Sequence, residues 1–199
     1  GTTMTPSGTS GNITITASSN TFVSTDVGRL IKFSDGHAKI TQFNSATNVN
    51  ATTTDNFSGT GGTADWSLGA YASHLGFPRT VSFFEQRLVF AGSTSYPQTI
   101  WASESGLYEE FDTGDGSAAD AFIYTIAANK VNVIRWLQPA RDLIVGTAGG
   151  EFKVGRPTGE PLKPDNVQIT QQTTYGGYTT QPIQIGNAVL FVQRQQKKI

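Results

Sequence analysis

GFPRTVSFFEQRLVFAGSTSYPQTIWASESG, Gly76 to Gly106, is the densest apolar run of the chain and the stretch that decides its fold class. Val81, Phe83, Leu88 and Phe90, then Ile100 and Trp101, come in two β-branched and aromatic bursts separated by Ala91-Gly92-Ser93 and Tyr96-Pro97. Short apolar bursts of this kind bounded by Gly and Pro predict two strands and a connecting turn, a hairpin. The run holds no His, no Cys and no paired carboxylates, so it describes scaffold and offers no chemistry.

Outward from this hairpin the pattern stays β. Toward the N-terminus, Ile13 and Ile15, Leu30, Ile31 and Phe33, Ile40 and Phe43, Val49 and Phe57 form short alternating strings, punctuated by Gly28, Ser34-Asp35-Gly36 and Ser58-Gly59. This predicts a small β-barrel or meander over residues 13–72, preceded by a flexible Gly/Ser/Thr lead-in over 1–12. Asp35-Gly36 reads as a tight hairpin turn in which Gly supplies a positive φ. Toward the C-terminus an apolar strand ending in small residues recurs at roughly fifty-residue spacing, as RLVFAG near Val89, DLIVGT near Ile144 and AVLFVQ near Leu190, about the size of one propeller blade or one four-stranded sheet unit. Residues 73–199 are therefore expected to form part of a β-propeller-like or β-sandwich domain. No segment sustains helical periodicity; Ser103–Phe111 and Ser117–Ala121 have room for single helical turns, with Ser103 and Ser117 as N-caps. The proline-rich stretch 156–165 reads as a rigid connector.

Composition narrows the function classes. The 199 residues are 37% hydrophobic and 15% charged, with 14 basic against 15 acidic side chains and a net charge of -1, so the chain as a whole carries no electrostatic footprint for gripping DNA or an anionic membrane. Zero Cys excludes a disulfide framework and Cys-based zinc sites. No apolar run approaches the ~20 residues of a membrane-spanning helix. The opening at Gly1 and the stop just after VLFVQR lead us to expect a fragment of a longer protein.

The candidate chemistry is sparse. The loop 104–120 carries Glu104, Glu109, Glu110, Asp112, Asp115 and Asp120 with Gly114 and Gly116 between them, and Asp112, Asp115 and Asp120 are the oxygen donors to watch for Ca²⁺, although their spacing does not match an EF-hand. His37 and His74 fall in different expected domains, and neither lies near a nucleophile elbow, so both read as structural. GTGGT at 59–63 and GTAGGEF at 146–152 lack the Lys-Ser/Thr of a phosphate loop and read as turns. Trp101 and Trp136 read as core. Trp66, Tyr71, Tyr96, Tyr175 and Tyr178, in turn-rich surroundings, are candidates for meeting a protein or a sugar. Arg194, Lys197 and Lys198 form a basic cluster that reads as a solvated strand end. No catalytic, cofactor-binding or metal-binding residue is assigned, no cofactor is expected, and no enzymatic activity is assigned.

The phrases FPRTVSFFEQRLVFAGS, PQTIWASESGLYEEF, IRWLQPARDLIVGTAGGEF and QPIQIGNAVLFVQR, in this order, resemble the tail-tube or nozzle structural proteins of short-tailed bacteriophages and prophages; FVSTDVGRLIKFSDGHAKITQF also resembles a small barrel module recurring in phage tail proteins. The resemblance spans residue 22 to the C-terminus. It implies a virion protein, made in the bacterial host cytoplasm, whose full-length form assembles as a ring, expected to be hexameric. Adaptor, fibre or spike proteins would be its neighbours, and viral DNA would pass it without specific binding. The alternative, from another class, is a carbohydrate-binding module or polysaccharide-degrading tail protein using exposed aromatics and the acidic loop.

Overall fold

The computed structural model describes residues 1–33, 35–114, 116–127 and 132–195, and divides the chain into two units, Gly1–Gly76 and Phe77–Ile199. Both are built of β-strands. Among the described residues the helical structure is a single 3-10 turn at Ser24–Asp26; the segments 103–111 and 117–121 form turns, not helical turns, so Ser103 and Ser117 cap no helix, and the Ser117 N–H donates to the Asp120 carboxylate at 2.7 Å within a turn.

The first unit is a curled, half-barrel sheet of six strands: β1 (Met4–Pro6), β2 (Asn12–Ala17), β3 (Leu30–Phe33), β4 (Gly36–Ser45), β5 (Asn48–Asp55) and β6 (Trp66–Leu68), in the order β1-β2-β5-β4-β3-β6. Strand periodicity sends Ile13, Ile15 and Ala17 of β2 into the core and leaves Asn12 and Thr16 exposed. Ile31, Phe33, Ala38, Ile40, Val49, Ala51 and Phe57 complete that core. The expected flexible lead-in is corrected here: β1 lies inside it, because Met4 is fully buried in the core and exchanges two backbone hydrogen bonds with Thr63, at 2.8 and 2.9 Å. A single apolar residue among Gly, Ser and Thr is enough when the strand beside it supplies the rest. The β3–β4 hairpin forms as expected, but not for the expected reason. Gly36 has no positive φ; a Cβ there would meet the Asn56 carbonyl oxygen at 2.7 Å and the Phe57 ring at 2.8 Å.

The second unit holds two four-stranded antiparallel meanders and a hairpin. The first meander is β7 (Thr80–Phe84), β8 (Arg87–Ala91), β9 (Thr99–Ala102) and β10 (Phe122–Thr125); the second is β11 (Ile134–Pro139), β12 (Leu143–Thr147), β13 (Gly150–Gly155) and β14 (Gln168–Thr173); the hairpin is β15 (Ile183–Ile185) and β16 (Ala188–Leu190). Neither four-stranded sheet takes a strand from the other, which is how propeller blades are wired; a Greek-key sandwich would exchange strands between its sheets. The two meanders share one core, with Val89, Ala91, Ile100 and Phe122 on one side and Leu137, Leu143, Val145 and Phe152 on the other. Trp136 turns away from that core onto Gly146, where any Cβ would lie inside the indole ring.

The run from Gly76 to Gly106 makes three strands, not two. Val81 to Phe90 is broken by a two-residue turn, Glu85-Gln86, with φ of +48° and +58°. Tight hairpins of this kind need positive φ at both central positions and usually recruit Asn and Gly, so Glu-Gln gives no warning in the sequence. The left-handed conformation costs an L-residue roughly 1–2 kcal/mol. Gln86→Gly removes it at the expense of some unfolded-state entropy; urea denaturation is expected to show the variant about 0.5–1 kcal/mol more stable, with an unchanged m-value.

Candidate functional site

Arg87 begins β8 from a core-facing position and is 1% exposed. Its guanidinium donates to four backbone carbonyls of one loop: Nη1 to Ser103 at 2.6 Å, Ala119 at 3.1 Å and Asp120 at 2.7 Å, and Nη2 to Ala118 at 2.7 Å. The Phe122 ring lies 5.4 Å from the guanidinium carbon. Burial pulls the Arg87 pKa below its ordinary value, opposed by the nearby charges of Asp120 and Glu104. The loop closes on itself through Glu104 N–H to Glu110 O, Ser105 N–H to Ala119 O and Gly106 N–H to Gln86 O. Buried Ser103 accepts from the Leu88 N–H and donates to the Glu104 carbonyl. A cavity of about 320 Å³ beside Arg87 is lined by Glu85, Gln86, Ser105, Ala118, Ala119, Pro161 and Leu162.

The acidic side chains of this loop largely serve its turns. Asp120 accepts from the N–H groups of Gly116 and Ser117, Asp112 from Gly114, and Glu110 from Asp112. Asp115 lies outside the described residues. Among the described residues no group of three or more His, Asp or Glu side chains converges as a metal cluster. The charge that gathers the loop's carbonyls is an arginine, at the place where a calcium loop would present them to an ion.

The loop's apolar residues cover part of the outer face of β7–β10. Tyr108 packs edge-on against Phe83 at 5.2 Å and Phe111 stacks on Phe90 at 5.5 Å, while Tyr96 from the β8–β9 connection meets Trp101 edge-on at 6.0 Å. Trp101 and Trp136 are both buried, which removes them as sugar platforms; Tyr175 stays exposed, and Trp66 spends its indole N–H on the Thr2 carbonyl at 2.8 Å. Sequence reasoning read 104–120 for its carboxylates and missed Arg87, the residue that organises it. The signal was faint: one basic residue at the start of an apolar strand, in phase with Val89 and Ala91.

Among the described residues Glu151 is the other buried charge-bearing group of this unit. It is 3% exposed on β13, its Oε2 accepts from the Thr173 hydroxyl, and the Gly176 N–H also serves the carboxylate. Its Oε1 has no hydrogen-bond partner, nor does the buried Trp136 Nε1; the register puts the two residues on either side of Gly146. Burial pushes the Glu151 pKa up, and the bonds from Thr173 and Gly176 only partly offset it. GTAGGEF itself is the β12–β13 connection, with the Thr147 hydroxyl donating to the Gly150 carbonyl at 2.7 Å.

Both histidines belong to the first unit. His37 sits on β4 between Lys32 and Asp55 in register, and His74 approaches the Thr25 carbonyl at 3.0 Å and the Asp26 carboxylate at 3.9 Å. Arg29 holds the same carboxylate at 2.9 Å and donates to the Gly69 carbonyl at 2.6 Å, which keeps residues 69–76 with the half-barrel. Arg194 donates to the Ala148 carbonyl, and Lys197 and Lys198 lie outside the described residues. The half-barrel also carries an uncharged polar face in which Asn50 joins Thr14, Gln42 and Asn44, and Asn48 joins Asn44 and Thr16. No helix among the described residues is long and apolar enough to cross a membrane.

No protein-family model matches the chain, and no curated protein is significantly similar to it. What fold and site define is a class: an all-β chain of a half-barrel and stacked meanders, with a buried arginine tying down its longest loop.

Two outcomes follow from this geometry. An ammonium has three donors on one atom and cannot span carbonyls from Ser103 to Ala118, so Arg87→Lys leaves one or two of them unpaired at about 1–3 kcal/mol each. Urea denaturation is expected to show a loss of about 2–4 kcal/mol, and limited proteolysis faster cutting within 104–120. For Glu151 the folded pKa is raised above the unfolded one, so the folded state binds the extra proton. The contribution of Glu151 to stability is therefore fully present below the ordinary carboxyl value of 4.5 and is lost as pH rises through the raised value. Glu151→Gln is expected to flatten that part of the stability–pH profile; an unchanged slope would assign it to another group.

Proposed function

We propose that this chain is part of a virion structural protein of the tail tube or nozzle class of short-tailed phages, contributing to the conduit for genome delivery and docking neighbouring adaptor, fibre or spike proteins. The observation that carries the reading is where its sequence phrases fall. FPRTVSFFEQRLVFAGS forms β7 and β8, PQTIWASESGLYEEF forms β9 and the start of the arginine-clamped loop, IRWLQPARDLIVGTAGGEF spans β11 into β13, and QPIQIGNAVLFVQR holds β15 and β16. Each phrase is a structural unit of the stacked sheets, so the resemblance follows a scaffold and not a catalytic centre.

Two further features support it. The chain is nearly neutral, and the half-barrel face of Asn12, Thr14, Thr16, Asn48, Asn50 and Thr52 is satisfied by its own side-chain hydrogen bonds, with Lys39 at its margin. Such a surface lets a polyanion slide, since phosphate contacts from Lys and Arg are what hold nucleic acid in place. In this reading the protein acts passively, as a lining and a set of docking loops in a ring of full-length subunits. The test is particle composition: particles purified after prophage induction are expected to contain the protein, with antibody label confined to the tail, and a deletion strain is expected to yield DNA-filled heads that fail to eject. Absence from purified particles, with retention on a polysaccharide column, would replace this reading with the carbohydrate-binding one.

A further inference from the structure

The loop that Arg87 gathers leaves part of its guanidinium unspent. A guanidinium has five N–H donors. Nη1 spends its two on the Ser103, Ala119 and Asp120 carbonyls and Nη2 spends one on Ala118, so the Nε–H and the second Nη2–H donate to no described group. These two atoms share one edge of the planar fork. All four acceptors are neutral, and no carboxylate of a described residue stands within ion-pair distance of the charge. Asp120 and Glu104 act on it only through space, and the Asp120 carboxylate is spent on the N–H groups of Gly116 and Ser117.

This edge belongs to the cleft of about 320 Å³, which three segments enclose: the Glu85-Gln86 turn, the clamped loop and the β13–β14 connection. Arg87 and Leu162 are the buried residues of its lining and form its floor, while Glu85, Gln86, Ala118, Ala119 and Pro161 stand at its rim. The one carboxylate of the lining, Glu85, is already paired with Arg156 at 2.7 Å. The floor is thus half cation and half hydrocarbon.

We propose that this cleft binds a carboxylate bearing a short apolar chain, with its oxygens on the Nε–Nη2 edge of Arg87 and its hydrocarbon on Leu162. Two N–H donors on one edge match the two oxygens of a carboxylate, the geometry in which arginine binds this group best. A buried cation whose hydrogen-bonded partners are all neutral gains from a counter-ion, because low local dielectric strengthens the attraction. Leu162 and Pro161 select against phosphate and sulfate, which would lay charged oxygens on hydrocarbon. Size agrees, since the cleft lies at the lower end of the about 300–1,000 Å³ of ordinary ligand pockets and suits an acid of a few carbons. The inference stands on the cleft alone and does not draw on the virion reading, which is tested by particle composition.

The test titrates sodium butyrate into the nitrogen-15-labelled 199-residue chain and follows its NMR spectrum, with butyramide, sodium phosphate and sodium chloride as controls at matched ionic strength. Butyrate is expected to move the Arg87 Nε–H resonance and the backbone amides of Ser105 and Ala119 saturably. Butyramide and phosphate are expected to bind at least about tenfold more weakly. A second arm compares acetyl-glycyl-alanine as free acid and as amide: a free acid that binds more tightly than butyrate assigns the site to a chain terminus, and one that binds more weakly assigns it to a small acid. Ser105→Leu and Ala118→Leu each fill the cleft from a partly exposed position and leave the carbonyls around Arg87 in place. Both are expected to keep the parent's melting profile and to weaken butyrate binding at least about tenfold. A butyrate titration that moves none of these resonances, equal shifts with butyramide or chloride, or unchanged binding in the leucine variants would each overturn the proposal.

Discussion

The buried guanidinium of Arg87 is the constraint on which the second unit turns. A cation in an apolar core is tolerable only when it is well hydrogen-bonded, and here both terminal nitrogens are met by carbonyls of a loop that begins at Ser103 and returns at Ala118–Asp120. The loop is therefore not free to adopt another path: moving it would strand both a buried charge and the carbonyls around it. Because Arg87 is also the first residue of β8, the same contact fixes the Glu85-Gln86 turn, which must deliver the side chain inward. Gly106 closes the arrangement by donating its N–H to Gln86. Strand, turn and loop are thus tied at one point.

From that point the aromatic arrangement follows. With its ends clamped, the loop carries Tyr108 and Phe111 back over β7 and β8, onto Phe83 and Phe90. The long connection between β13 and β14 closes the other side of the region. Leu162 enters the shared core, Pro164 accepts a hydrogen bond from the Tyr124 hydroxyl at 2.6 Å, and Arg156 pairs with Glu85 at 2.7 Å. The proline-rich stretch thus forms the twelve-residue crossing from β13 to β14 and braces the Glu85-Gln86 turn through Arg156.

How much of this the sequence disclosed depends on how many residues carried each signal. RLVFAG, DLIVGT and AVLFVQ were legible as a repeat, and they fall on β8, β12 and β16, the second strand of each successive sheet; in β8 and β12 the reason is burial, which demands several apolar residues in a row, whereas β16 is largely exposed. All-β character was legible for the same reason. Features set by one residue were not. Met4 among small polar residues gave no strand signal, yet a neighbouring β2 and the Thr63 bridge make it one. Glu85-Gln86 has no turn chemistry of its own and takes positive φ under tertiary demand. Arg87 reads as a surface charge in any pattern count, and only the carbonyls gathered from thirty residues downstream make its burial possible. The acidic residues of 104–120 misled in the opposite direction: their number suggested a cation site, while Asp112 and Asp120 cap turns of the loop itself.

The relation between the two four-stranded sheets is set by the side chains that meet between them. Val89, Ala91, Ile100 and Phe122 of β7–β10 share one core with Leu137, Leu143, Val145 and Phe152 of β11–β14. Sheets twist with a fixed hand, so the angle at which one meander lies on the other follows from how these side chains interdigitate and not from the loops that join the strands. A change in their volumes would therefore alter that angle, and with it the position of every loop the two sheets carry, before it altered any single strand pairing.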